Sequence, residues 1–148
     1  MDEARIRPIV ICLFRHDDRI LVSEAYDTSA GSYFCRPVGG GIEFGERSRE
    51  AVLREIREEV GAEVENLELV GVLENVFTYE GARGHEIVFV YDGEFKDRRM
   101  YEGGEVQGYR AETDAGFVAR WRSPEEIRGM NARLVPEGLA ALLARGIK

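Results

Sequence analysis

A mixed β-sheet flanked by a few helices, an α/β arrangement, is the architecture this chain should form. Three features point there. Apolar, β-branched runs of strand length recur along the chain, separated by turn-forming residues. One stretch, Arg49 to Val60, carries a helical apolar side, and a second helix start stands at Ser123-Pro124-Glu125-Glu126. The length, 148 residues, suits one domain over residues 1–148, with enough chain for a single proper core.

The elements follow in order. Ile6 to Phe14 is mostly apolar, rich in Ile and Val and without a helical stripe, so it reads as a buried strand. His16-Asp17-Asp18-Arg19 is a turn and Ile20 to Ala25 a second strand. Tyr26 to Ser32 is a polar loop, and Tyr33 to Arg36 a short strand stopped by Pro37. Val38 to Glu46 contains three consecutive glycines and reads as a loop. Ser48 is the expected cap of the helix from Arg49 to Val60, whose apolar side is Val52, Leu53, Ile56 and Val60. Gly61 suits the left-handed position after the helix end. Val64 to Tyr79 is a long or bent strand, Glu80 to Gly84 a hairpin turn, and His85 to Phe95 the return strand. Lys96 to Asp114 is polar and contains glycine, which predicts a mobile loop able to close over a ligand. Gly116 to Trp121 is a last strand, and Pro136 to Leu143 a further short helix.

Composition narrows the function classes. With 28 acidic and 20 basic side chains the formal net charge is −8, which disfavours nucleic-acid polymers and anionic membranes as partners. Small phosphate ligands stay open, because bound divalent cations reverse the local field. Cys12 and Cys35 lie in apolar strands with no partner at metal-ligand spacing, so they read as buried thiols of a reducing compartment. The N-terminal segment has no leader pattern and no apolar run is long enough to span a bilayer, and the chain reads as cytoplasmic.

The chemistry concentrates between Gly39 and Ala62. On the helix, Glu55, Glu58 and Glu59 stand at i, i+3 and i+4 and share one side. Like charges so placed repel, and Arg54 offsets only part of the excess. A hard divalent cation answers such a face: Mg²⁺ takes carboxylate oxygens and keeps its other positions for water and substrate phosphates, and Mn²⁺ uses similar donors. Upstream, Gly39, Gly40 and Gly41 let backbone groups approach a metal or phosphate, and Glu46 lies just before the helix. An acidic helix alone is usually a solvated face, and a glycine run alone is usually a loop; their combination is the signal.

That combination resembles the Nudix box. Gly40, five residues, Glu46, seven residues, then Arg54-Glu55-Ile56-Arg57-Glu58-Glu59-Val60-Gly61 reproduces every fixed position of that family's pattern. The last position is Ala62, smaller than the bulky aliphatic of the pattern. The resemblance implies the Nudix fold, an α/β/α sandwich around a mixed sheet. It also implies hydrolysis of a phosphoanhydride bond in a nucleoside diphosphate linked to another moiety, such as a nucleotide, a nucleotide sugar or a dinucleoside polyphosphate. In that family Glu46, Glu55, Glu58 and Glu59, with the carbonyl of Gly39 or Gly40, would hold Mg²⁺ or Mn²⁺. Arg54 would orient the glutamates. The metals would neutralise phosphate charge and activate water, and a carboxylate would take its proton. Glu55 or Glu58 on the helix, or an acid of the later segment (Glu105 foremost, with Glu102 and Glu112 as alternatives), are the candidates for that work. Family members are often homodimers.

Substrate contacts are less determined. Arg36 could reach a phosphate, and Phe77 and Tyr79 could stack on a base or sugar. The position of Phe77 is one where ADP-ribose-cleaving members often carry proline, while Tyr79 falls where dinucleoside polyphosphate hydrolases often carry tyrosine. The alternative reading is a catalytically silent nucleotide-binding or regulatory domain of the same fold; such relatives typically lose box glutamates, which this chain keeps.

Overall fold

The computed structural model describes residues 4–145. Its first strand, β1 (Ile6–His16), is the axis of the molecule. From Ile9 to Phe14 every residue is buried, because both faces of the strand are covered. Side chains alternate: Val10, Cys12 and Phe14 enter one core, while Ile9, Ile11 and Leu13 enter another. The first core packs against α1 (Ser48–Val60) through Ala51, Val52 and Ile56. The second packs against α3 (Leu139–Ala144) through Leu139 and Leu142. A third cluster, Ile20, Val22 and Cys35, lies under Ile127 of α2 (Pro124–Gly129). Helices on both faces of a mixed sheet make the expected α/β/α sandwich.

The sheet grows outward from β1. On one edge β6 (Ala82–Phe95) runs parallel to it, with β5 (Val64–Tyr79) antiparallel beyond. The β5–β6 hairpin turns on Glu80 and Gly81 alone, both at positive φ (53° and 83°), which suits the twist of its strands. On the other edge lies β4 (Gly39–Gly41). The end of β1 turns through Asp17 into β2 (Arg19–Asp27), which pairs with β3 (Ser32–Pro37) and with β8 (Ala115–Arg122). Outermost are β9 (Ala132–Leu134), parallel to β3, and β7 (Glu105–Arg110), antiparallel to β8.

Four local expectations change. The glycine run is not a plain loop: Gly39 to Gly41 pair with Ile11 to Ile9, and a Cβ at Gly39 would collide with the carbonyl oxygen of Val10. Here glycine serves close approach between strands. The segment from Lys96 to Asp114 is not a long loop either. It holds a 3₁₀ turn, Arg98–Tyr101, and then β7. Val106 is buried in the main core, and Gly108 leaves room for the Phe117 ring lying across it. A strand with one buried aliphatic and a glycine lacks the alternation that would announce it. The helix α1 starts one residue early, with Arg47 as cap; the Glu50 carboxylate accepts from the Arg47 amide at 2.7 Å. Ser48 instead hydrogen-bonds the Tyr91 hydroxyl at 2.7 Å. Finally, β9 was not foreseen, and α3 begins at Leu139 instead of Pro136.

The remaining capping signals hold. Gly61 sits at φ 67° and its amide donates to the Arg57 carbonyl. Ser123 and Glu126 form the reciprocal cap of α2. Cys12 and Cys35 are free and buried, and burial pushes both thiols up, Cys35 to about 11, which leaves them unreactive. No helix among the described residues is long and apolar enough to cross a membrane.

The tight β1–β4 seam yields a test. Gly39→Ala should destabilise the protein by on the order of 2 kcal/mol, because the colliding atom is backbone and cannot rotate away. A urea midpoint equal to wild type would show that β4 has slack at this point.

Candidate active site

The charged side of α1 divides into two halves. At ~100° per residue Glu58 and Glu59 diverge by a full step. Glu55 and Glu59 are therefore each 6% exposed, turned toward the sheet, while Glu58 is largely exposed on the flank. Arg54 lies between the helix and the loop before it and binds four groups. Its Nε and Nη2 donate to the two oxygens of Glu46 at 2.7 and 2.9 Å, a bidentate pair. Nη2 also donates to the Gly41 carbonyl at 2.9 Å, and Nη1 to Glu55 and to Glu58 at 3.1 Å each. The hydrogen bonds from Arg54 hold Glu46 below the usual carboxylate range. Burial pushes Glu55 up, with the Arg54 hydrogen bond opposing.

Glu59 has no such partner. Its Oε1 is buried without a hydrogen bond among the described residues. Burial, then the neighbouring Glu55, push its carboxyl up to about 7, with Arg110 and Arg36 opposing. Beside it the backbone of β4 closes in: a Cβ at Gly40 would collide with the Glu55 carboxylate. Three carboxylates drawn to a single guanidinium, and a fourth buried with an unused oxygen, form a hard-oxygen donor set suited to Mg²⁺ or Mn²⁺. No three acidic, His or Cys side chains among the described residues stand in a ready-made cation cluster, and the Arg54 guanidinium pairs with Glu46, Glu55 and Glu58.

One side of this group borders a cavity of about 1090 Å³. Gly39, Gly40 and Glu59 line it, as do the expected substrate residues Arg36, Phe77 and Tyr79. The Phe77 ring packs against Gly84, where any Cβ would meet it. Tyr79 meets Phe34 edge to face, with ring centroids 5.6 Å apart. Glu46, Glu55 and Glu58 stand behind this lining, gathered by Arg54. Glu105 is not brought to the site: at the start of β7 it pairs with Arg120 at 3.4 Å and stays half-exposed outside the cavity. The acid of that segment which does line the cavity is Glu112, on the turn between β7 and β8.

Arg110 was missed by sequence reading. It lines the cavity, donates to Ser23 Oγ at 3.2 Å and lies 3.9 Å over the Phe117 ring. Burial lowers its pKa while Glu59 raises it, so the two are charge neighbours. Its only sequence signal is the spacing Val106, Gly108, Arg110, which places it on the inward side of a strand once the strand is known.

A family model described as NUDIX domain matches residues 4–144. NAD-capped RNA hydrolase NudC of Pseudomonas aeruginosa (strain LESB58) is 39% identical over 67 residues, 45% of this chain; the chain spans 23% of the length of that relative. A MutT NUDIX hydrolase from Burkholderia pseudomallei superposes with a TM-score of 0.64 at 24% identity, covering 94% of this chain and 97% of that one. A NUDIX hydrolase from Nitrosomonas europaea does so with a TM-score of 0.62 at 22% identity, covering 95% and 87%. At these identities the structural likeness concerns the fold.

The unpartnered Glu59 makes a prediction with a definite sign. Its folded pKa lies above its unfolded value, so ionising it costs stability at high pH and costs nothing once both states are protonated. In chelator at pH 8, Glu59→Gln should melt about 5 °C higher than wild type. That advantage should shrink as pH falls through 7 and vanish below the unfolded carboxylate range. A gain independent of pH would assign the effect to something other than charge.

Proposed function

Because the chain belongs to the NUDIX domain family, we propose that it is a divalent-metal-dependent pyrophosphohydrolase that cuts a nucleoside diphosphate joined to a second group, by attack of water at phosphorus. Membership in the family supports pyrophosphohydrolase activity, and the activity, the metal, the residue roles and the substrate class are together the proposal. One observation carries it. Glu59 lines the same cavity as Arg36 and Arg110, and Arg54 gathers Glu46, Glu55 and Glu58 behind that lining.

The parts divide the work. A divalent ion held by the carboxylates and the Gly39 or Gly40 carbonyl would offset phosphate charge and acidify water. Arg36 and Arg110 bind phosphate oxygens, a task suited to forked donors. Ser23 and the Phe117 ring hold Arg110 in place for it. Arg54 locks the rotamers of Glu46, Glu55 and Glu58, so the donor set is organised before substrate arrives. Glu112 takes the proton of the attacking water. It lines the cavity and its charge is felt by both Glu55 and Glu59. Glu55, tied to Arg54, is left as a ligand. The cavity, about 1090 Å³, has room for a second moiety beyond the diphosphate.

The test is turnover with Mg²⁺ on a panel of dinucleoside polyphosphates, nucleotide sugars, ADP-ribose, NADH and nucleoside di- and triphosphates, with products separated by chromatography. Wild type should cut one class, and Glu58→Gln should spare it. A panel left untouched, or a mutant that cuts equally well, would sink the proposal. Within the active class, Glu112→Gln should lower kcat by roughly 10²-fold or more with KM little changed, and Glu105→Gln should leave both near wild type. The reverse pattern would move the proton acceptor to Glu105.

A further inference from the structure

The cavity extends from the glutamate helix to the inward face of the β5–β6 hairpin, and that face carries a polar pair, Asn75 and Glu86, of which only Asn75 has a partner outside the pair among the described residues. Asn75 and Glu86 sit directly opposite each other across the two strands. They are 7% and 8% exposed, and both line the cavity. The Glu137 amide donates to Asn75 Oδ1 at 3.2 Å, which turns the amide so that its Nδ2 faces Glu86. The link between them is long, Nδ2 to Oε1 at 3.5 Å, and it is the sole hydrogen bond of the Glu86 side chain among the described residues. No protein group among the described residues meets its second oxygen, so Glu86 offers an acceptor to whatever occupies the cavity.

The neighbours say what kind of ligand. Strand alternation puts Phe77 and Tyr79 on the same face as Asn75. Phe77 lies across Gly84, the register position next along that face from Glu86, and Tyr79 is braced by Phe34. An aromatic platform beside a fixed donor and a two-oxygen acceptor is the equipment for reading the edge of a nucleobase. We infer that this end of the cavity holds guanine. Its Watson–Crick edge offers an acceptor, O6, followed by two donors, N1–H and the N2 amine. Asn75 Nδ2 meets the first, and the two oxygens of Glu86 meet the second and third. Adenine and cytosine each present a ring-nitrogen acceptor where Glu86 needs a donor, and hypoxanthine lacks the N2 amine. The inference rests on the nucleotide-hydrolase reading above and specifies its substrate as a guanosine diphosphate derivative.

The test is equilibrium binding by calorimetry, in chelator so that no turnover occurs, using the full chain and GDP, IDP, ADP, CDP and 2′-deoxy-ADP. GDP should bind at least about tenfold more tightly than IDP or ADP. Glu86→Gln should bring GDP to the level of IDP while changing ADP less than threefold. Equal affinities for GDP, IDP and ADP, or no binding of any, overturn the inference. So does a loss confined to 2′-deoxy-ADP, which would put the ribose diol at Glu86, and so does a Glu86→Gln variant that keeps the GDP preference. The wild-type comparison stands even if the variant fails to fold. Because nothing is hydrolysed, inactivity on the substrate panel leaves this test intact, and an active enzyme indifferent to the base overturns only the guanine assignment.

Discussion

A single guanidinium, Arg54, links three parts of the chain by hydrogen bonds. It ties the loop before α1 through Glu46, the end of β4 through the Gly41 carbonyl, and α1 itself through Glu55 and Glu58. Without it, acids packed within a turn of one another would repel, two of them already short of water. The fork geometry is what makes this possible: five donors in one plane can serve carboxylates and a carbonyl together, which an ammonium cannot.

The arrangement works because α1 is anchored independently of its charges. Ala51, Val52 and Ile56 sit fully buried against Val10, Cys12 and Phe14 of β1, so the helix position is set by apolar packing. The same strand fixes β4 by backbone pairing on its edge. Helix and glycine strand thus share one support, and the absence of a side chain at Gly40 lets the Glu55 carboxylate come against the strand. The acids can then be left partly unsatisfied, with Glu59 the extreme case, because the cost is borne by the core.

The rest of the cavity is assembled from afar. Arg36 comes from β3, Arg110 and Glu112 from the β7–β8 hairpin, and Asn75, Phe77 and Glu86 from the β5–β6 hairpin. Each is presented by strand alternation, which aims a side chain reliably once register is set. The β7–β8 hairpin beside the cavity also takes the place of much of the long loop that composition suggested.

What the sequence determined by itself is everything carried by local pattern. The strands of β1, β2, β5, β6 and β8, the helix from residue 49 to 60, its glycine stop at Gly61 and the cap of α2 all follow from short-range periodicity and cap chemistry. So did the acids of the helix and the family, since those residues lie at fixed spacing on one segment. The tertiary structure decided the rest. It split Glu55 and Glu59 from Glu58, made the glycine run a strand, and turned residues 105–110 into another. It also drew Glu112 and Arg110 to the cavity and left Glu105 outside it. These outcomes depend on contacts between residues distant in the chain, where one buried valine or one absent Cβ settles the geometry, and no periodicity within a segment encodes a partner that lies in another.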